Sequence, residues 1–171
     1  MKKIVISLIA AFAGIFAANA QKFALVDMEY ILSNIPTYEV ANDQLNQLSQ
    51  KWQKEVEAVA KQAETMYKDY QSNMVFLSDE QKKKQETAIT AKEKEAMELK
   101  NKYFGPEGEL YVMRSKLMQP IQDDVYNAVK AVAEERGFQC IFDRASATEI
   151  IFASPRIDVS TEVLAKLGYS K

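Results

Sequence analysis

The residue types that most often carry out enzymatic chemistry are scarce in this sequence. It contains one cysteine, Cys140, and no histidine. A cysteine nucleophile usually needs a base such as histidine to form its thiolate, and ordinary zinc sites combine several cysteine and histidine ligands. We therefore expect neither thiol catalysis nor a zinc site. The apolar neighbours of Cys140 predict a small buried side chain in a strand, with an intermolecular disulfide and a reactive thiol as the alternatives.

The acidic pairs and the loops give no catalytic pattern either. Asp123-Asp124 and Glu134-Glu135 are adjacent residues in predicted helices, so the two side chains of each pair point in different directions. No Gly-x4-Gly-Lys-Ser/Thr loop is present to bind a nucleotide. The formal net charge is −2, and this mildly acidic balance gives no electrostatic reason to expect nucleic-acid binding, which usually needs a basic patch or stripe. We expect a protein that is not an enzyme, uses no cofactor and no ATP, and does not bind nucleic acid.

A cluster of Met, Tyr and other apolar residues in the middle of the chain suggests the shielding of apolar segments instead. Methionine repacks around different shapes and tyrosine is amphipathic, so such a surface suits partners of variable sequence. Met66, Tyr70 and Leu77 can equally fill the space between two helices, which is the alternative for those three. The candidate binding residues are Met66, Tyr67, Tyr70, Met74, Val75, Phe76 and Leu77.

Long helices must position this cluster. Residues 37–104 contain no Gly or Pro and are rich in helix-forming residues. Ser78-Asp79-Glu80-Gln81 has the form of a capping box, which predicts a new helix after a turn near residues 73–78. Because a short connection favours antiparallel neighbours, we predict a projecting coiled-coil hairpin over residues 37–119, interrupted at residues 105–108. The seven-residue apolar series that support it are Leu45, Trp52, Val59, Met66, then Val56, Ala63, Tyr70, Leu77, and finally Ile89, Ala96, Tyr103.

Short apolar runs near the two ends predict a small sheet. They lie at residues 23–26, 139–142 and 149–152, so they share a sheet only if the hairpin is an excursion that returns to its base. A sheet of about three short strands is marginal alone, and we expect copies of the chain to cover its edges. The predicted fold is α+β, mainly α, with an oligomerisation body at residues 21–36 and 120–171. The predicted body core and oligomer contacts are Phe23, Leu25, Val26, Ile141, Phe142, Ile150, Ile151 and Phe152.

Residues 1–20 have the form of a secretory signal peptide. Lys2 and Lys3 precede an apolar stretch, and Ala18-Asn19-Ala20 supplies the small residues that a signal peptidase recognises. The stretch is too short for a comfortable membrane span of roughly 20 residues, which leaves a retained anchor as the alternative. We expect an exported protein whose mature chain begins near Gln21.

Several segments, taken in order, resemble the Skp/OmpH family of periplasmic chaperones. Each motif is weak alone, but their order and spacing together are specific. The resemblance covers essentially all of the chain after the first twenty residues. Its carriers are Phe23 to Glu29, the long charged helices, Leu117 to Ile121, Phe142-Asp143, Ile150 to Ala153, and Ile157 to Leu164.

This resemblance implies a periplasmic homotrimer with a β-rich body and three helical tentacles around a cavity. Members hold unfolded outer-membrane proteins there without ATP, so the candidate binding residues become candidate client contacts. The better-known members are strongly basic, and their basic side chains have been linked to lipopolysaccharide and anionic membranes.

This sequence departs from the basic pattern of the family. Residues 37–104 carry 11 basic and 12 acidic residues, and Lys82-Lys83-Lys84 is their one basic cluster. A lipopolysaccharide site is therefore not carried over, and peripheral membrane contact stays open. A structural coiled-coil spacer or adaptor of the cell envelope, with one folded partner, is the alternative function.

Overall fold

The structure is a computed structural model that describes residues 22–169; the predicted signal peptide and its cleavage site lie outside the described residues. The chain is mainly helical with a small sheet, and it forms two units. The terminal unit comprises residues 22–34 and 125–169, and the helical unit comprises residues 35–124. The elements are β1 (Phe23–Val26), α1 (Met28–Ser33), α2 (Pro36–Asn73), a 3-10 turn (Met74–Phe76), α3 (Asp79–Phe104), α4 (Glu109–Arg136), β2 (Cys140–Asp143), a 3-10 turn (Pro155–Ile157) and α5 (Ser160–Lys166).

Helices α2 and α3 pack antiparallel in the helical unit. Trp52 stacks on Tyr103, with ring centroids 4.9 Å apart and ring planes 7° apart. Toward the other end of the pair, the Tyr70 hydroxyl donates to the Glu86 carboxylate. Residues with higher numbers in α2 therefore contact residues with lower numbers in α3, as expected for antiparallel helices. The predicted apolar series are buried or half-buried throughout, because their spacing keeps them on the faces that meet.

A capping box starts α3 after the chain reverses. The Gln81 N–H donates to Ser78 Oγ at 3.3 Å, and the Ser78 N–H donates to Gln81 Oε1 at 2.9 Å. Each group satisfies a polar atom that the first helical turn leaves without an internal partner. The capping box predicted from the sequence is confirmed.

A glycine segment separates α3 from α4. Helix α3 ends at Phe104 and α4 begins at Glu109, and a salt bridge of 3.4 Å joins Lys102 to Glu109 across the break. A Cβ at Gly108 would lie only 2.8 Å from the Tyr103 carbonyl oxygen, which is closer than side-chain atoms approach backbone. The tight connection therefore depends on glycine at this position.

Strand β1 has β2 on one side and an isolated bridge on the other. It pairs in parallel with β2, in a register that places Phe23 opposite Cys140 and Val26 opposite Asp143. On its other side, the Val159 N–H donates to the Leu25 carbonyl at 2.9 Å, beside an isolated bridge to Asp158. The core of the terminal unit lies behind this sheet, and its most buried side chains are Ala24, Ile31, Val125, Val132 and Val163.

The structure corrects the prediction of a third strand at residues 149–152. This segment is irregular, and its Ile151 and Phe152 side chains are 100% and 84% exposed. The run has the β-branched and aromatic composition of a strand, but composition does not provide a hydrogen-bonded neighbour. Asp158 occupies the place beside β1 instead.

The prediction that Cys140 is buried is wrong. Cys140 is exposed because it lies on the outer face of β2, with its side chain on the same side of the sheet as that of Phe23. Among residues 22–169, no helix has both the length and the apolar character needed to cross a membrane.

Candidate binding and assembly surfaces

The turn between α2 and α3 presents three adjacent apolar side chains, here called the tip surface. Met74, Val75 and Phe76 are 42%, 77% and 84% exposed. They form a single 3-10 turn at the end of a two-helix pair, where few neighbouring side chains are available to cover them. This contiguous apolar surface makes the turn a candidate site of interaction.

The structure separates the other candidate binding residues by exposure. Tyr67 is 48% exposed, whereas Met66, Tyr70 and Leu77 are half-buried in the seam of the helix pair. Met66 also lines a groove of about 260 Å³ together with Ala88 and Ile89. Each interpretation therefore fits a different part of the cluster. The tip surface and Tyr67 are exposed and available for binding, whereas Met66, Tyr70 and Leu77 mainly pack between the helices.

Two tyrosines link α2 to α3 through carboxylates. Tyr70 donates to Glu86, and Tyr103 donates to Glu55 at 2.7 Å. The hydrogen bond is the main reason that the pKa of each tyrosine is raised, and desolvation by burial acts in the same direction. Each link persists while the tyrosine keeps its proton, so these contacts hold the pair together near both ends at neutral pH.

A second apolar surface lies on the outer side of the sheet, and we call it the outer apolar face. It consists of Phe23 and Phe142 from the strands and of Ile151 and Phe152 from the segment that follows them. The two phenylalanines of the strands are 54% and 50% exposed. These side chains border a groove of about 450 Å³ whose lining includes the buried Leu25.

The predicted body residues are thus divided by the structure. Leu25 and Val26 are buried, and Ile141 and Ile150 are half-buried. The four residues of the outer apolar face do not lie in the core of the single chain, since Phe23 and Phe142 are half exposed and Ile151 and Phe152 are almost fully exposed. Their part in contacts between copies stays a prediction.

One arginine joins the ends of several elements beside the outer apolar face. The Arg144 Nη2 atom lies 2.9 Å from Asp27 Oδ2, and its Nε atom lies 3.2 Å from Asp158 Oδ2. The second oxygen of Asp27 accepts the Tyr30 N–H at 2.9 Å and caps α1. The second oxygen of Asp158, Oδ1, accepts the Ser160 N–H at 2.9 Å. Charge-assisted hydrogen bonds of this kind are stronger than neutral ones.

Asp143 strengthens the same corner of the terminal unit. Its Oδ1 atom accepts the N–H groups of Met28 at 3.1 Å and Ala145 at 3.0 Å. Burial acts to raise the pKa of Asp143, but the hydrogen bonds from Ser146, Met28 and Ala145 outweigh it, so the pKa lies below its usual value. The carboxylate therefore stays ionised and ties β2 to the start of α1.

The sequence places Asp27 directly before a predicted short helix, where it can act as the N-cap, and it assigns Arg144 no role. A signal for this cluster is present, since charged residues directly follow the apolar runs at residues 23–26 and 139–142. Asp158 has no such signal, because its place beside β1 depends on how the preceding segment crosses the sheet. Within residues 22–169, no three His, Cys, Asp or Glu side chains are grouped so that they could hold a metal ion.

Comparisons with known proteins give one family and one structural neighbour. The family model described as "Outer membrane protein (OmpH-like)" matches residues 22–167. The crystal structure of a Caulobacter crescentus CB15 protein, provisionally described as an outer membrane chaperone (OmpH-like), superposes with a TM-score of 0.66. The match covers 85% of this chain and 82% of that chain at 12% identity, which shows a shared fold alone. No protein of curated function matches the chain.

Proposed function

The chain belongs to the OmpH-like family, and on that basis we propose that it is a periplasmic holdase chaperone for unfolded outer-membrane proteins. It acts without ATP or other chemistry, by covering apolar client segments until they reach their membrane. The exposed tip surface is the observation that carries this proposal. The exposure of Val75 and Phe76 at the end of a helix pair supports their role as client contacts in this proposal.

The mechanism needs several weak contacts that act together. In this mechanism the antiparallel helices α2 and α3 form a coiled-coil arm, and three copies joined through the outer apolar face surround a cavity with their arms. A client held by one tip surface meets the others at high effective concentration, so the total affinity exceeds that of any single contact. Methionine and tyrosine suit this task because they adapt to segments of different sequence.

The client contact is tested by replacing Met74, Val75 and Phe76 together with Ser. We expect the variant to keep its oligomeric mass and helicity but to lose most of its ability to suppress aggregation of an unfolded β-barrel protein. Unchanged suppression would contradict the role of the tip surface.

The matched control replaces three other exposed apolar residues of the helical unit, Met97, Tyr111 and Val112, with Ser. It should retain suppression. If both triple variants lose it equally, the binding surface extends along the arm. A protein that suppresses no aggregation, and instead binds one folded envelope protein saturably, is the spacer or adaptor.

The assembly is tested separately from client binding. We expect light scattering to give the mass of three chains, and the double variant Ile151→Ser and Phe152→Ser to give lower mass with its helicity intact. Both residues are almost fully exposed in the single chain, so their replacement removes no core packing. A wild-type protein that stays monomeric at working concentration would overturn the trimer.

Export is proposed together with this function. We expect residues 1–20 to be removed in the cell, so that the mature chain begins at Gln21. Mass spectrometry of the purified periplasmic protein measures this directly. If the protein is instead recovered in the membrane fraction with residues 1–20 still attached, an anchored protein is favoured.

A further inference from the structure

The segment that carries Ile151 and Phe152 begins and ends at the same ion cluster. Arg144 follows β2 directly, and Asp158 is the point at which the chain returns to β1 on its other side. Residues 145–157 therefore cross from one side of β1 to the other, and their apolar part belongs to the outer apolar face. The position of that part depends on how the two ends are held.

The Arg144 guanidinium joins these two ends directly. Its Nε atom contacts Asp158, and its Nη2 atom contacts Asp27 at the end of β1. The two carboxyl groups are partly buried, with 21% of the Asp27 and 24% of the Asp158 side chain exposed. Partial burial strengthens the attraction relative to a fully exposed pair. The planar guanidinium reaches both carboxylates at once, which a lysine ammonium does less well.

Loss of the guanidinium does more than remove two contacts. Asp27 and Asp158 would then repel each other at the base of residues 145–157, without a positive charge between them. Asp27 stays fixed through its bond to the Tyr30 N–H, and Asp158 stays fixed through its bonds to the Ser160 N–H and hydroxyl. The guanidinium is the group that links Arg144, at the start of residues 145–157, to Asp158 at their end, so its loss opens the base of this segment.

We propose that Arg144 is a positioning residue for assembly: it closes the base of residues 145–157 and so holds Ile151 and Phe152 where a second copy of the chain binds them. This inference rests on the proposed joining of copies through the outer apolar face. A closed base restricts the segment before association, so less conformational entropy is lost when the copies meet. Arg144 itself makes no contact with the partner in this scheme.

The test compares Arg144→Gln and Arg144→Lys with a matched control, Arg156→Gln. Arg156 lies in the same crossing segment, is exposed, and forms no ion pair among residues 22–169. We expect association, measured by light scattering on dilution, to weaken about tenfold in Arg144→Gln and less in Arg144→Lys. Arg156→Gln should associate like the wild type, although it carries the same change in charge.

Amide hydrogen exchange distinguishes positioning from general stability. In Arg144→Gln we expect faster exchange at residues 147–154, with unchanged protection in β1 and β2. Added salt should weaken association of the wild type more than that of Arg144→Gln, because the variant has no guanidinium left to screen. If Arg144→Gln also loses protection in the strands, its weaker association can come from general destabilisation. The comparison then uses Arg144→Lys, which keeps a positive charge at the base.

The possible outcomes separate this inference from the proposed assembly. If Arg144→Gln and Arg144→Lys associate like the wild type while Ile151→Ser with Phe152→Ser does not, the outer apolar face joins copies and Arg144 does not position it. If the Ile151 and Phe152 double variant associates normally, the proposed assembly fails, and the inference fails with it. If Arg156→Gln weakens association to the same extent as Arg144→Gln, the change in net charge explains the weakening, and the positioning role of Arg144 is contradicted.

Discussion

At the residue scale, the seam between α2 and α3 depends on one large aromatic contact. Trp52 is 8% exposed and stacks on Tyr103, which is equally buried. Other seam residues are smaller or only half-buried, among them Ala63, Val56 and Val59. The stacked pair therefore supplies a large share of the apolar area that the two helices hide from water.

Replacing Trp52 with Ala should lower the free energy of unfolding by about 3 kcal/mol, the usual cost of removing a large buried aromatic side chain. Urea denaturation followed by circular dichroism measures the change. The matched control is Val40→Ala on the same helix, where the side chain is 66% exposed and the change should stay within about 0.5 kcal/mol. Equal losses in the two variants would mean that the stacked pair does not hold the helices together.

The two tyrosine–carboxylate links predict a loss of stability in alkali. Their hydrogen bonds raise the pKa of Tyr70 and Tyr103 above the ordinary value of about 10. A raised pKa means that the stabilising contribution is complete below about pH 10 and is lost as the pH rises through the pKa of the folded state. The double variant Tyr70→Phe and Tyr103→Phe should therefore lose less stability than the wild type between about pH 8 and about pH 11.

The control for this pH effect replaces Tyr111 and Tyr126, both more than half exposed, with Phe. That variant should follow the wild type, because its remaining tyrosines include both links. Urea midpoints at the two pH values provide the measurement. A decline of equal size in all three proteins would assign the alkaline loss to other groups, such as the lysines.

At the element scale, the start of α3 is fixed by a local interaction that the sequence reveals. Replacing Ser78 with Ala removes the acceptor of the Gln81 N–H and should cost about 1 kcal/mol of stability. Ser72→Ala is the control, because the Ser72 hydroxyl only bonds to the Lys68 carbonyl of its own helix. Thermal unfolding should give a lower midpoint for Ser78→Ala and little change for Ser72→Ala. A result in the reverse order would contradict the capping role.

The predictable and the unpredictable elements differ in where their interactions come from. The capping box and the apolar series act over a few residues, so their spacing in the sequence is enough to locate α2 and α3. A strand needs a partner that is distant in sequence, and nothing in Ile150-Ile151-Phe152 indicates whether one is available. Arg144 was missed for the same reason, since its partners lie more than ten residues away on either side. Surface exposure of Cys140 likewise depends on which face of the sheet receives the core.

At the scale of the whole molecule, the division into two units separates two kinds of surface. The tip surface belongs to the helical unit, and the outer apolar face belongs to the terminal unit. Variants of one surface therefore change residues that the other does not contain. A variant of the tip surface can therefore lose client binding while the assembly is kept.

If the outer apolar face joins copies, folding and association are linked, because association removes folded chains from the unfolding equilibrium. The midpoint of thermal unfolding should then rise by about 4 °C when the protein concentration is raised about a hundredfold. Differential scanning calorimetry over this range measures the shift.

The double variant Ile151→Ser and Phe152→Ser serves as the reference for this measurement. Its midpoint should not depend on concentration, and it should match the wild type at the lowest concentration, because both side chains are exposed in the single chain and their replacement leaves the folded chain intact. A wild-type midpoint that does not move with concentration would show that these apolar residues stay uncovered in solution. An equal shift in the double variant would place the contact between copies on another part of the chain.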